Sequence, residues 1–208
     1  MIRRHASELF SRRLVKDLLE QFSKRAPGVV EDIVPTIVPI STLHRTLRAL
    51  LAERVSIRDL GTILETLAEF APKLQDPDLL TDLVRERLAR SIVRPYVEDD
   101  GSLRVITLAP DVEETLKSGV TRTDSGAFLS VDPTILDGLL QGIESAVSES
   151  PSIREGKGPV LLISQSIRSA LRQVLARITP RLAVLSHNEL PAEVRIVAQN
   201  VVRPANAH

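Results

Sequence analysis

The sequence predicts an α+β protein, with an N-terminal helical subdomain followed by a small α/β subdomain carrying a mixed sheet. Three observations lead there. Through roughly the first 90 residues, apolar side chains recur at the spacing of a helix face. At Val93 the pattern changes to short apolar runs separated by turn residues. Between Pro159 and Leu185 an apolar run, a helical stripe and a second apolar run follow one another, the order of a strand, helix, strand unit. At 208 residues the chain is long for one compact core, so two domains are expected, 1–92 and 93–208.

The elements follow in order. Leu9, Leu14, Leu18 and Phe22 place a long first helix between Ile2 and Phe22. Pro35 and Pro39 interrupt the apolar stretch Val29 to Ile40, which therefore reads as short turns packed on the core. Ser41 is placed to cap a helix whose stripe is Leu43, Leu47, Leu50 and Leu51. Ser56 with Asp59 resembles a capping box, ahead of a helix that buries Leu60, Ile63, Leu64 and Leu67. Asp76-Pro77 pairs a capping carboxylate with a proline suited to the first helical position, and opens a helix carrying Leu80, Leu83, Val84 and Leu88.

In the second half, Val93 to Val97, the turn Asp99-Asp100-Gly101 and Leu103 to Leu108 read as a hairpin. Pro110 starts a short helix, Ser118 to Gly126 reads as a polar loop, and Phe128 to Val131 as a brief strand. Asp132-Pro133 repeats the capping device before a helix with Ile135, Leu136, Leu139, Leu140, Ile143 and Val147. Ser148 to Gly158 reads as a surface loop. Pro159 to Ile163, the stripe Ile167, Leu171, Val174, Leu175 and Ile178, and Leu182 to Leu185 then form a parallel β-α-β unit, and Val194 to Val202 a last strand.

Composition narrows the function. Lys plus Arg and Asp plus Glu both number 27, so no net field draws the chain to phosphate backbones, although Arg3, Arg4, Arg12, Arg13, Lys16, Lys24 and Arg25 make its beginning locally basic. That stretch reads as a solvated helix face, and would also suit a segment lying under a membrane. Aromatic residues make up only 2%, which leaves little for stacking on bases. Cysteine is absent, which removes disulfides and thiolate chemistry and fits a reducing compartment. No apolar run approaches the roughly 20 residues that span a bilayer.

Groups that could do chemistry are scattered. Ser164 lies where a strand turns into a helix, the position of a hydrolase nucleophile, but its neighbours Ile163 and Gln165 replace the glycines of the nucleophile elbow, so it reads as a helix cap. Gly156-Lys157-Gly158 precedes a strand, the wrong order for a phosphate loop. His5, His44, His187 and His208 lack metal-binding spacing. No cofactor or metal is expected, and no catalysis. Two clusters stand out as candidate protein contacts: Arg58, Asp59 and Glu65 on a helix otherwise devoted to the core, and Glu31 with Asp32 ahead of the proline-punctuated segment. Charges of both signs beside apolar residues suit an interface.

The stretch Leu43 to Pro72 closely resembles the signature of the bacterial type III export gate, or FHIPEP, family. Glu31-Asp32-Ile33-Val34-Pro35, Asp76 to Thr81, Pro159 to Leu162 and Val184 to Leu190 resemble further segments of that family in the same order. The resemblance implies the C-terminal part of a larger inner-membrane protein, with a helical third cytoplasmic subdomain and an α/β fourth. It further implies a nonameric cytoplasmic ring that docks export substrates, chaperones and ATPase-complex components, and the wording of Ser186 to Leu190 favours the flagellar branch. By itself this part is expected to be a monomer. Arg58, Asp59 and Glu65 are then expected to help set the intersubunit or intersubdomain geometry. The rival readings are a nucleic-acid-binding regulatory module gripping through the basic first helix, and a hydrolase using Ser164 and His187.

Overall fold

The computed structural model describes residues 10–123, 126–154 and 156–204. The chain divides into two compact units, one ending at Leu88 and the other beginning at Ala89.

The first unit is helical. Helix α1, Arg12–Ser23, is capped by Ser11, whose Oγ accepts from the Leu14 amide at 3.4 Å. It buries Val15 and Leu19, while Leu14, expected inside, is 44% exposed. The part of the expected helix from Ile2 to Leu9 lies outside the described residues, as do His5 and His208. The proline-rich stretch forms a single short helix, α2, Val29–Ile33, and then turns that bury Val34 and Val38, in keeping with the expectation of compact turns. Helix α3, Ile40–Ala52, begins one residue before the expected cap Ser41: the Pro39 carbonyl accepts from Leu43, and no side chain caps this end. Leu43, Leu47 and Leu50 supply its buried stripe.

Helix α4, Leu60–Phe70, corrects the expected capping box. Asp59 is itself the N-cap, its carboxylate accepting from the Thr62 amide at 3.2 Å and the Thr62 hydroxyl at 2.8 Å, while the Ser56 hydroxyl accepts from the Arg58 amide. Helix α5, Pro77–Arg87, opens as predicted, with Asp76 accepting from the amides of Asp78 and Leu79.

In the second unit four strands make one sheet in the order β5-β4-β1-β6, and every neighbouring pair is parallel. They are β1, Ser102–Leu108; β4, Val160–Ile163; β5, Ala183–Ser186; and β6, Arg195–Val202. The predicted hairpin does not form. Val93 ends helix α6, Ala89–Val93, and Arg94–Tyr96 continues as a 3-10 turn containing Pro95, which has no amide to give a ladder. Both sides of β1 are occupied by parallel partners, which leaves no slot for an antiparallel mate. The turn itself exists, with Gly101 at φ 77° and the Asp100 carboxylate accepting from the Ser102 amide at 2.9 Å.

Antiparallel pairing is confined to a separate two-stranded ribbon, so the expected mixed sheet resolves into two sheets. Its strands are β2, Val120–Thr123, and β3, Gly126–Leu129. They replace most of the predicted loop from Ser118 to Gly126, because Val120 and Thr121 favour extended backbone once helix α7, Pro110–Ser118, has ended. Gly119 permits that return: a Cβ there would sit 2.8 Å from the Ser130 carbonyl. Helix α8, Pro133–Glu149, runs from the Asp132 cap, and the short α9, Pro151–Arg154, interrupts the loop expected from Ser148 to Gly158.

Helix α10, Gln165–Ile178, joins β4 to its parallel neighbour β5, as the sequence predicts. One core holds this unit together, with Ile106, Leu161 and Val184 from the sheet against Leu116, Leu139, Ile143, Leu171 and Leu175 from helices α7, α8 and α10. Each such side chain contributes about 1.5–3 kcal/mol by leaving water.

Candidate protein interface

The five residues singled out as protein contacts fall on the helical unit and reach solvent. Helix α4 turns Leu60, Ile63, Leu64 and Leu67 inward, which places Glu65 on the opposite face. Arg58 and Asp59 stand immediately before that helix. The Asp59 carboxylate is committed to Thr62, whereas Arg58 and Glu65 have no ion pair among the described residues. One turn further along, Glu69 pairs with Arg87 of α5 at 3.1 Å, so that stretch of the face is already neutralised. Glu31 and Asp32 occupy the first turn of α2, where the helix dipole favours carboxylates. Helix α2 packs beside α4, so the structure brings the two clusters onto neighbouring elements.

The groups considered for catalysis do not converge. Ser164 stands at the N-cap position of α10, but its side chain does not cap that helix. Instead Glu113 of α7 accepts from both the Ser164 amide, at 3.1 Å, and the Ser164 hydroxyl, at 2.7 Å. No hydrogen bond joins Ser164 to His187, which is exposed in a 3-10 turn after β5. Lys157 donates to the Val97 carbonyl at 3.1 Å and the Glu98 carboxylate at 2.9 Å. His44 stacks on Phe10 with 6.2 Å between ring centroids. Among the described residues no three His, Cys, Asp or Glu side chains gather as a metal site.

Sequence reasoning missed two polar features. In the first, Arg168 and Glu189, each only 1% exposed, approach to 3.7 Å, and Glu189 also accepts from the Ser186 amide and hydroxyl at 3.2 and 3.1 Å. The signal was available in Ser186 and Glu189, a Ser-x-x-Glu spacing of the capping-box type. The second is an open cleft of about 680 Å3 in the helical unit, lined by Arg12, Arg13 and Lys16 of α1 and by Pro35, Pro39, Ile40 and Ser41. The basic bias of the first helix was visible in the sequence, but the wall facing it was not.

A helical unit followed by a small α/β unit agrees with the α+β class expected from the sequence. The FHIPEP family model matches residues 1–195, and the chain belongs to that family. Flagellar biosynthesis protein FlhA of Bacillus subtilis is 35% identical over 201 residues, which cover 97% of this chain and 29% of that protein. The chain thus spans less than a third of this relative. Among solved structures, the Chlamydia pneumoniae CdsV and CdsO protein complex matches with a TM-score of 0.88 at 27% identity, over 97% of this chain and 58% of the matched one. Nonameric EPEC SctV-C matches with a TM-score of 0.85 at 26% identity, over 97% and 60%. No described helix is long and apolar enough to cross a membrane.

Proposed function

We propose that these residues form the C-terminal cytoplasmic part of a type III export gate of the flagellar branch, and act by binding proteins rather than by covalent chemistry. In this reading the complete protein sits in the bacterial inner membrane, and its cytoplasmic ring docks export substrates, chaperones and components of the ATPase complex. The observation that carries the reading is the match along 97% of the chain to a subunit whose assembly is described as nonameric. Identity of 35% to a protein named for flagellar biosynthesis supports the flagellar branch. The relative solved together with CdsO supports a protein partner. The engagement of the Ser164 hydroxyl by Glu113 supports a structural role for that serine.

Within the ring, Arg58 and Glu65 are the residues proposed to meet a neighbouring subunit or subdomain, with Glu31 and Asp32 at the margin. Asp59 shapes the start of α4. The test is charge reversal in the full-length protein: Arg58→Glu and Glu65→Arg, each alone, followed by native mass spectrometry of the solubilised assembly and by assay of exported flagellar proteins. Each variant is expected to reduce both ring recovery and export about tenfold while leaving the melting temperature unchanged. Normal rings and normal export in both variants would remove these residues from the interface.

A further inference from the structure

We propose that the cleft beside α1 is a docking site for an acidic peptide segment of a partner protein that also carries apolar side chains. The cleft measures about 680 Å3, and its described lining contains three cations, Arg12, Arg13 and Lys16, and no carboxylate. None of the three cations has an ion pair among the described residues. The rest of the lining is Pro35, Pro39, Ile40 and Ser41, and Ile37, in the same proline-punctuated stretch, is 41% exposed.

The position of the arginines is informative. Arg12 and Arg13 open a 12-residue helix whose first turn has no acidic residue. Unsatisfied amides and the helix dipole make that end electropositive, so two more positive charges there work against helix stability. An anion bound in the cleft relieves that repulsion and satisfies all three cations together. Arg12 and Lys16 are four residues apart, one helical turn, which suits a ligand with two carboxylates at similar separation. The cleft combines these cations with Pro35, Pro39 and Ile40, and that mixed lining suits a peptide carrying both carboxylates and apolar side chains. The site is separate from the face bearing Arg58 and Glu65 and does not depend on its role.

The test begins with a random 12-residue phage peptide library selected on the 208-residue chain. The selected consensus is expected to hold at least two Asp or Glu residues and one large apolar residue. Fluorescence anisotropy with the labelled consensus peptide is expected to show binding that falls about tenfold or more in the Arg12→Glu/Arg13→Glu/Lys16→Glu variant and that weakens with added salt. The melting temperature of this variant should equal or exceed that of the parent, since carboxylates are favoured in the first turn, so lost binding will not reflect unfolding. A milder Arg12→Gln/Arg13→Gln/Lys16→Gln variant is expected to bind with intermediate affinity. A consensus without acidic residues, or acidic-peptide binding that survives the triple reversal, overturns the proposal. So does failure to select acidic peptides together with cation-dependent binding to phosphatidylcholine vesicles containing phosphatidylglycerol, which would assign the cleft to lipid.

Discussion

Asp59 holds two roles that a pair of substitutions separates. Its carboxylate caps α4 through Thr62, and it was also a candidate for ring contacts. Asp59→Ala is expected to cost about 1 kcal/mol by removing the cap, whereas Asp59→Asn keeps an acceptor and should leave urea stability within a few tenths of that of the parent. If Asp59→Asn in the full-length protein also keeps ring assembly, the charge serves the helix alone. Asp132 offers a pH test. Hydrogen bonds from the Thr134 amide and hydroxyl hold its carboxyl below the ordinary value of 3.8. A lowered folded pKa means that the stabilisation is present above the unfolded value and is lost as pH falls through the folded one. Asp132→Ala should therefore lower the urea midpoint at pH 7, and the gap from the parent should close progressively below pH 3.8.

At the scale of elements, Glu189 is the tie between β5 and α10. It takes both hydrogen-bonding groups of Ser186 at the strand end and faces Arg168 of the helix, with both charged side chains 1% exposed. Removing one member of a buried ion pair typically costs about 3–5 kcal/mol. Glu189→Ala is expected to destabilise the second unit by that amount in urea, while Glu189→Gln, which retains an acceptor for Ser186, should cost less. The sequence contained both residues of this Ser-x-x-Glu arrangement, but Arg168 lies 21 positions earlier and came into range only through the pairing of β4 with β5.

For the whole molecule, the two units invite the proposal that each unfolds on its own. Tryptophan is absent and the one tyrosine, Tyr96, belongs to the second unit, so its fluorescence reports that unit while far-ultraviolet circular dichroism reports both. In Glu189→Ala the tyrosine transition should move to lower urea, and the dichroism curve should separate into two steps. A single transition shared by both probes would mean that the units unfold together. The proposed ring belongs to this scale too: Arg58 and Glu65, which make no ion pair among the described residues, are the proposed points of contact with a neighbour.

Local chemistry was legible wherever it decided the outcome alone. The Asp76-Pro77 and Asp132-Pro133 starts, the leucine stripes of α3 and α4 and the strand runs of β4 and β5 need only backbone capping and side-chain periodicity, and these could be read from residue order. The α+β class and the family resemblance followed from the same segments. Tertiary structure decided what depends on distant partners. Val93 to Val97 looked extended, yet β1 was enclosed by β4 and β6, from 52 or more residues further along the chain, and no antiparallel place remained. Ser164 had every local mark of a cap until Glu113 arrived to take its amide and hydroxyl. The basic first helix became one side of a cleft only when Pro35 and Pro39 faced it. A strand's neighbours and a charge's counterions are chosen by which surfaces bury together, and residue order shows the surfaces without showing their match.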